Sequence, residues 1–536
     1  MTPSTMRKPR RGANSPQMMK GIGCASLAAL SLALATEVQA APQYVRLSFV
    51  DATQTTMTVT WHTTPNVAGE VRYGTSPGNL TMTETGIVNP GPGSMGDIHE
   101  VTLTGLQPDT VYYYQAGDTN DGYSPEYSFL TGPTPHEECG QFSFLFLADN
   151  RPDGTLGGGE NYDQILQQTE AHNAAFLLNG GDLVIDGDQL DQWATYLGYS
   201  ESSSASMPLM PCLGNHDDGP GEGDGANYNR LFALPRSTGT YGSNTEDYYY
   251  FVYGNAIFVS LSTDSYNEGS IPFQTQADWL DEVLTAHPQL WKIVFLHKPI
   301  YTSEVFFSIS HEPNEAGQNA AFVSVFDAHH VDVVLTSHNH WYERYEPSAC
   351  GTQNNPGSDQ PCPVGGDPAN GTLYFVSGGA GAFTIPAILN LFPPPGQVTC
   401  LDAHHYMLFD VQDTKLTIDT WGAFPQANQI IDTLTIEKPS TVNCETIGPG
   451  GAGGGGGSSS GVGGSTSGTG GTSTSGTGGS STSSGIGANG TTPTGDSSET
   501  GGCGCQIQKP TQPAWLALAA AALGIGVWRR RRRPLG

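Results

Sequence analysis

Apolar and polar positions alternate differently in successive stretches of this chain. Residues 42–133 carry short alternating runs, such as 56–61 (TMTVTW), 70–73 and 99–103, parted by Gly, Pro and Asn. A period of two between turn residues predicts half-buried strands and an all-β unit. Five later runs are apolar nearly throughout: 142–149 (FSFLFLAD), 174–182 (AAFLLNGGD), 207–216 (MPLMPCLGNH), 291–297 (WKIVFLH) and 331–340 (VDVVLTSHNH). Short, bulky runs bounded by turn residues predict buried strands. Each ends in a residue type that ligates metals. If the strands are neighbours, these ends converge on one edge of a sheet, where open α/β sheets place their sites. Asp149, Asp182, Asn215, His297, His338 and His340 at one edge would form a pocket for two hard-to-borderline divalent metals.

The ends of the chain lose this pattern. A basic lead without acidic residues precedes an apolar stretch at 21–35, and Val38-Gln39-Ala40 fits a small-x-small cleavage site. Residues 1–40 therefore read as a signal peptide, with Ala41 as the mature start. Residues 448–502 are nearly all Gly, Ser and Thr, which cannot bury a core and predict a disordered linker. The final segment, 503–536, holds Cys503-Gly504-Cys505, an apolar run at 514–528 and five arginines at 529–533. That run falls short of the ~20 residues of a spanning helix, and the basic block would stay on the cytoplasmic side.

Export suits the cysteines. Between the two ends lie Cys139, Cys212, Cys350, Cys362, Cys400 and Cys444, and six cysteines allow about fifteen pairings. Cys350 and Cys362 bracket a polar loop that suits a local bridge. Cys139 and Cys444 flank the middle of the chain and could close it. Cys212, inside a predicted strand, reads as a core thiol. Against 21 Lys and Arg stand 51 Asp and Glu, a net charge of −30. Such acidity repels anions at long range and argues against nucleic acid as a partner.

The order Asp149, Gly181-Asp182, Gly214-Asn215-His216-Asp217, His297 and His338-x-His340 resembles the calcineurin-like metallophosphoesterases, most of all their purple acid phosphatase branch. The resemblance covers residues 138–438 and runs on through Trp341-Tyr342-Glu343-Arg344 and Ser377-Gly378-Gly379. It implies an α/β fold, a two-sheet sandwich flanked by helices. It implies that Asp182 bridges two metals, that Asn215, His297 and His338 complete one of them, and that Asp149 and His340 sit on the other. By the same resemblance His216 points at the substrate and stabilises or protonates the leaving oxygen. Trp61 and residues 105–115 (GLQPDTVYYYQ) resemble a fibronectin type III domain, in which 106–112 would form the tyrosine corner. Residues 41–134 are thus expected to form an all-β sandwich. The C-terminal trio resembles the Cys-containing sorting signals of myxobacterial type, which implies processing near Cys503 or Cys505 and attachment to the cell envelope.

Three positions depart from the family pattern. Ala148-Asp149-Asn150-Arg151 replaces the usual first motif, Ile185 stands where the purple branch has a metal-bound Tyr, and Ser337 stands where Gly is usual. Water or Asn150 would then fill the shell of the first metal, and Arg151 could hold a phosphate oxygen. Two divalent or mixed-valence ions are expected, with Fe, Mn, Zn and Ca all compatible. Of the remaining histidines, His172, His287, His311, His329, His330 and His405 read as surface or core residues, with His404 the exception to watch. The resemblances and the expected signal peptide together imply an exported, cell-surface or outer-membrane-associated, acid phosphatase-like hydrolase. It would cleave phosphate monoesters of small molecules with metal-activated hydroxide. The alternatives are a phosphodiesterase or nucleotide hydrolase on the same metals, and a catalytically dead adhesion protein.

Overall fold

The computed structural model describes residues 42–444 apart from 66, 153–157, 220–224, 264–271, 304–310, 351–356, 387–389, 391–392 and 425–428. The expected signal peptide, Gly/Ser/Thr linker and C-terminal segment lie outside the described residues. Among the described residues no helix is long and apolar enough to cross a membrane.

The alternating N-terminal stretch forms two antiparallel sheets. One runs in the order Gln43–Ser48, Met57–Thr63, Asp97–Leu103, Ile87–Pro90. The other runs Met82–Glu84, Glu70–Gly74, Val111–Asp118, Gly122–Tyr123, with Tyr127–Leu130 also paired to Val111–Asp118. Val59, Trp61, Val101, Tyr112 and Tyr114 fill the core between them. The Tyr112 hydroxyl accepts the Gln107 N–H at 3.0 Å, which forms the expected tyrosine corner. Its first strand docks this sandwich on the following unit. Tyr44 N–H donates to Glu201 (2.9 Å), Ser48 Oγ to the Ala233 carbonyl (2.6 Å), and the buried Arg46 guanidinium to the carbonyls of Tyr44 and Leu231.

The five apolar runs become strands of two sheets. Leu209–Pro211, Leu177–Asn179 and Gln141–Leu147 are parallel neighbours in one sheet, continued antiparallel by His404–Gln412, Lys415–Phe424 and Gln429–Glu437. Trp291–Phe295 and Val333–Thr336 are parallel neighbours in the other, between Ala256–Ser260 and Leu373–Ser377. Convergence on the edge of a single sheet is therefore corrected: the ligand-type residues meet across two sheets. The sheets face one another through aromatic rings, with Phe144 against Phe258 at 4.9 Å and Phe176 against Phe258 at 5.0 Å, both edge to face.

Strand periodicity explains why the runs lack polar positions. In the second sheet Phe258, Ile293, Phe295, Val333 and Leu335 point into the space between the sheets. Their alternates Ile257, Val259, Val294 and Val334 join Leu280, Val283, Phe322 and Phe326. Those partners come from the helices Phe273–Ala286 and Asn319–His329, which cover the outer face. Both faces are buried, so both sets of positions are apolar.

Both expected disulfides form. Cys139–Cys444 spans 305 residues and Cys350–Cys362 spans 12, while Cys212 and Cys400 are buried thiols. A cross-link that closes a longer loop removes more entropy from the unfolded chain. Replacing Cys139 and Cys444 with Ser should cost about 2–5 kcal/mol in urea unfolding under oxidising conditions. That cost should exceed the cost of losing Cys350–Cys362; the reverse order would contradict the loop-closure account.

Candidate metal centre

The strands end before the ligand-type residues, which ride on the turns that follow. Asp149 lies two residues past Gln141–Leu147, and His338 two past Val333–Thr336. Asp149, Asp182 and His338 have φ of 57°, 56° and 69°, and Arg151 has 38°. Left-handed backbone is costly for residues with side chains and clusters where a structure over-determines it. Here short hydrogen bonds do so. Asn339 N–H reaches back to Ser337 O (2.7 Å) and Trp341 N–H to Asn339 O (2.8 Å). These two tight reversals take His338 and His340 off the strand's alternation.

Asp217 ties two of the turns together. Its carboxylate is fully buried and accepts the N–H groups of Asp182 (2.9 Å), Leu183 (2.7 Å), Val184 (3.1 Å) and Gly214 (2.9 Å). The turns approach so closely that a Cβ at Gly214 would lie 2.2 Å from Asp182 N. Burial and the charge of Asp182 push the Asp217 carboxyl up, to about 8, against the pull of those donors.

Hydrogen-bond chemistry fixes which ring nitrogens are bare. His297 Nδ1 sits 2.8 Å from the Gly180 carbonyl, which can only accept, so the proton is on Nδ1 and Nε2 carries a lone pair. His338 Nε2 sits 3.2 Å from Glu315 Oε2, which leaves His338 Nδ1 bare. Around His297 Nε2 stand His338 Nδ1 at 3.0 Å, Asn215 Oδ1 at 3.1 Å and Asp182 Oδ1 at 3.2 Å. Two imidazole nitrogens, an amide oxygen and a carboxylate oxygen thus meet at one point, and a cation is what such a set fits.

A second group adjoins it. Ligand atoms of Asp149, Asp182 and His340 lie within 4.8 Å of one another, as do those of Asp182, His297 and His338. Asp182 is common to both groups. His340 donates from Nδ1 to the Phe383 carbonyl (2.9 Å), and its bare Nε2 faces Asp149 Oδ1 at 3.4 Å. Asp149 Oδ1 is buried with no hydrogen-bond partner, while Oδ2 accepts the His338 N–H. Arg151 ion-pairs with Asp182 and stands 3.8 Å from Asp149. Burial pushes the Asp182 carboxyl up, but the Arg151 guanidinium beside it holds it well below the usual range. The first group, with two imidazoles, an amide oxygen and a carboxylate, suits borderline ions; the second is richer in oxygen and suits harder ones.

The remaining sequence candidates sort clearly. His216 donates its backbone N–H to Asp182 Oδ1 (3.0 Å) and its Nδ1 to the Ile185 carbonyl (2.6 Å), so Ile185 orients this ring. Asn150 is corrected as a shell-filling ligand: its Oδ1 accepts from Asn179 at 2.6 Å and its Nδ2 donates to the Ala380 carbonyl. His404 bonds the Gly379 carbonyl and stacks on Phe424 at 4.3 Å, and burial draws its pKa down to about 4. Sequence reading set His311 aside, yet its ring lies 3.5 Å from that of His338, and its Nδ1 shares Glu315 Oε2. His311 and Glu315 stand four apart in a stretch without periodicity, so only three-dimensional contact reveals them.

Residues 42–131 match the family model of the purple acid phosphatase N-terminal domain, and residues 95–342 match that of the calcineurin-like phosphoesterases. An uncharacterised Mycobacterium tuberculosis protein is 29% identical over 66% of this chain and 71% of its own. Acid phosphatase type 7 of Homo sapiens is 26% identical over 72% of this chain and 92% of its own. Purple acid phosphatase 23 of Arabidopsis thaliana is 26% identical over 56% and 74%. Among solved structures, a purple acid phosphatase from yellow lupin seeds has the same fold, with a TM-score of 0.61 and 20% identity over 74% of each chain. PhoD also shares the fold, with a TM-score of 0.57 and 15% identity over 74% of this chain and 90% of its own.

If Asp217 is the brace between the two turns, Asp217→Ala should cost more than about 3 kcal/mol in urea unfolding, since four buried donors lose their acceptor. Asp217→Asn should fall between that variant and the parent, because one oxygen remains. A parent-like unfolding midpoint for Asp217→Ala would contradict the brace.

Proposed function

The chain carries a calcineurin-like phosphoesterase domain behind a purple acid phosphatase N-terminal domain, and from that premise we propose how this metal-dependent phosphoester hydrolase works. It is an exported, cell-surface phosphatase with a binuclear centre that hydrolyses phosphate monoesters of small molecules. The observation that carries this reading is the meeting of bare acceptors on both sides of Asp182. Asn215, His297 and His338 would hold one cation, Asp149 and His340 the other, and Asp182 would be common to both. Cations bound by these residues would supply positive charge for the phosphoryl oxygens and lower the pKa of a water toward ~7.

The chain's own groups do the rest. Gly180 and Glu315 keep His297 and His338 in the tautomers that present lone pairs. Arg151, buried beside both carboxylates, exchanges part of its pairing with Asp182 for a phosphate oxygen. With a net charge of −30, long-range steering of an anion is unfavourable, so local positive charge must dominate. His216 is held through Nδ1 by Ile185, so it has a proton on Nε2 for the departing oxygen only as the imidazolium, a form that burial disfavours and the charge of Asp182 supports. The two disulfides suit an oxidising compartment. The C-terminal segment supplies the link to the cell envelope.

Hydrolysis of p-nitrophenyl phosphate and bis-p-nitrophenyl phosphate, with and without chelator, tests this reading. Chelator-sensitive turnover of the monoester above the diester supports it; a preference for the diester makes the protein a phosphodiesterase, and turnover of neither sinks the enzyme. His216→Ala should keep its metals and lose ~10²–10⁴ in rate, most severely for alkyl phosphates, whose leaving groups need the proton. Equal losses on aryl and alkyl esters would move His216 from proton transfer to binding. Because Ile185 replaces the metal-bound Tyr, the iron-loaded protein should show no phenolate-to-iron band in its visible spectrum; such a band would contradict the assignment.

A further inference from the structure

The rim beside His338 is held from an unexpected side. A single oxygen, Glu315 Oε2, bonds both His311 Nδ1 (3.0 Å) and His338 Nε2 (3.2 Å). Glu315 sits in a turn opened by Asn314, whose φ is 54° and whose carbonyl accepts the Gly317 N–H at 2.8 Å. Asn314 is the hub of that turn. Its N–H donates to Pro299 O (3.1 Å), its Oδ1 accepts the Asn319 N–H (2.8 Å), and its Nδ2 donates to Asp359 Oδ1 (2.9 Å). The fully buried Asn319 adds a second tie, donating from Nδ2 to the carbonyls of Ser358 and Ile300, both at 2.9 Å.

Ser358 and Asp359 belong to the loop closed by Cys350–Cys362. The base of that loop is anchored in the second sheet. Ala349 N–H bonds Cys362 O (3.1 Å), Cys362 N–H bonds Ser348 Oγ (2.9 Å), and Ser348 pairs through both backbone groups with Thr372, next to the strand Leu373–Ser377. A continuous set of bonds therefore runs from sheet to disulfide loop, to Asn314 and Asn319, to Glu315, to the ring of a metal-ligand candidate.

We propose that Ser358 and Asp359, held next to the Cys350–Cys362 disulfide, are positioning residues for the metal centre. They fix the turn that aims Glu315 at His338. The proposal rests on the reading of His338 as a ligand. It assigns no contact with substrate to Asp359, which is exposed. Partners that orient a ligating imidazole typically change metal affinity by about 10–100-fold when removed. An indirect support should cost less, about three- to tenfold on that scale.

The test is Zn²⁺ affinity, measured by competition with a chromophoric chelator, in the full exported chain. Asp359→Ala should weaken the weaker of two sites about three- to tenfold, as an indirect support, and Asp359→Asn, which keeps the acceptor oxygen, should restore it. Cys350→Ser with Cys362→Ser should lose at least as much as Asp359→Ala. In a Glu315→Ala background the effect of Asp359→Ala should vanish, because the path to His338 is already cut. Parent-like affinity in Asp359→Ala or in the double Cys variant overturns the proposal, as does an undiminished Asp359 effect without Glu315. Failure of the phosphatase reading looks different: two tight Zn²⁺ sites in the parent with no ester hydrolysed.

Discussion

The structure turns on one electrostatic constraint. At the shared end of two sheets, the lone pairs of His297 Nε2, His338 Nδ1, Asn215 Oδ1 and Asp182 Oδ1 face one another at about hydrogen-bonding distance with no hydrogen to share. Asp149 Oδ1 is buried beside them without a partner. Lone pairs turned toward one another in a buried site repel. A positive charge between them reverses the sign. The Arg151 guanidinium, paired to Asp182 and near Asp149, supplies some of that charge.

The surrounding fold can be understood as what holds this arrangement in place. Left-handed backbone at Asp149, Asp182 and His338 turns the side chains out of strand alternation and toward a common point. Asp217 gathers four N–H groups and locks the turn after Leu177–Asn179 to the turn after Leu209–Pro211. Aromatic packing between the sheets, centred on Phe144, Phe176 and Phe258, sets the separation at which the two sets of turns meet. The N-terminal sandwich bonds Glu201 and Ala205, at the end of the helix Leu190–Ser204 and just beyond it, and Leu231 and Ala233 further on. Tyr196 of that helix bonds Asn179, two residues before Gly181.

Much of this was legible from sequence because burial on both faces writes itself as unbroken apolar runs. Val294 and Val334 pack outward against helices while Ile293 and Val333 pack inward, so the run marks the strand and its end marks the turn. The two-sheet sandwich came from the family resemblance; the same uniformity hid which runs share a sheet, since an all-apolar strand carries no sign of which neighbour it pairs with. Asn150 looked like a spare ligand because its sequence neighbour is Asp149, but its amide is spent on Asn179 and Ala380. Glu315 and His311 were invisible for a different reason. They reach His338 through a turn shaped by Asn314 and Asn339, and neither spacing nor composition encodes that approach. Asp217 lay within a motif that was read for its Asn and His, and its role appears only once the backbone donors around it are seen.

The central claim is that two cations share Asp182. Crystals of the protein grown with Zn²⁺ and measured at the zinc absorption edge test it most directly. The account predicts two anomalous peaks on opposite sides of Asp182, one among Asn215, His297 and His338 and one between Asp149 and His340, with Arg151 drawn off the bridging carboxylate. A single peak, or none with Arg151 still paired to Asp182, would contradict it.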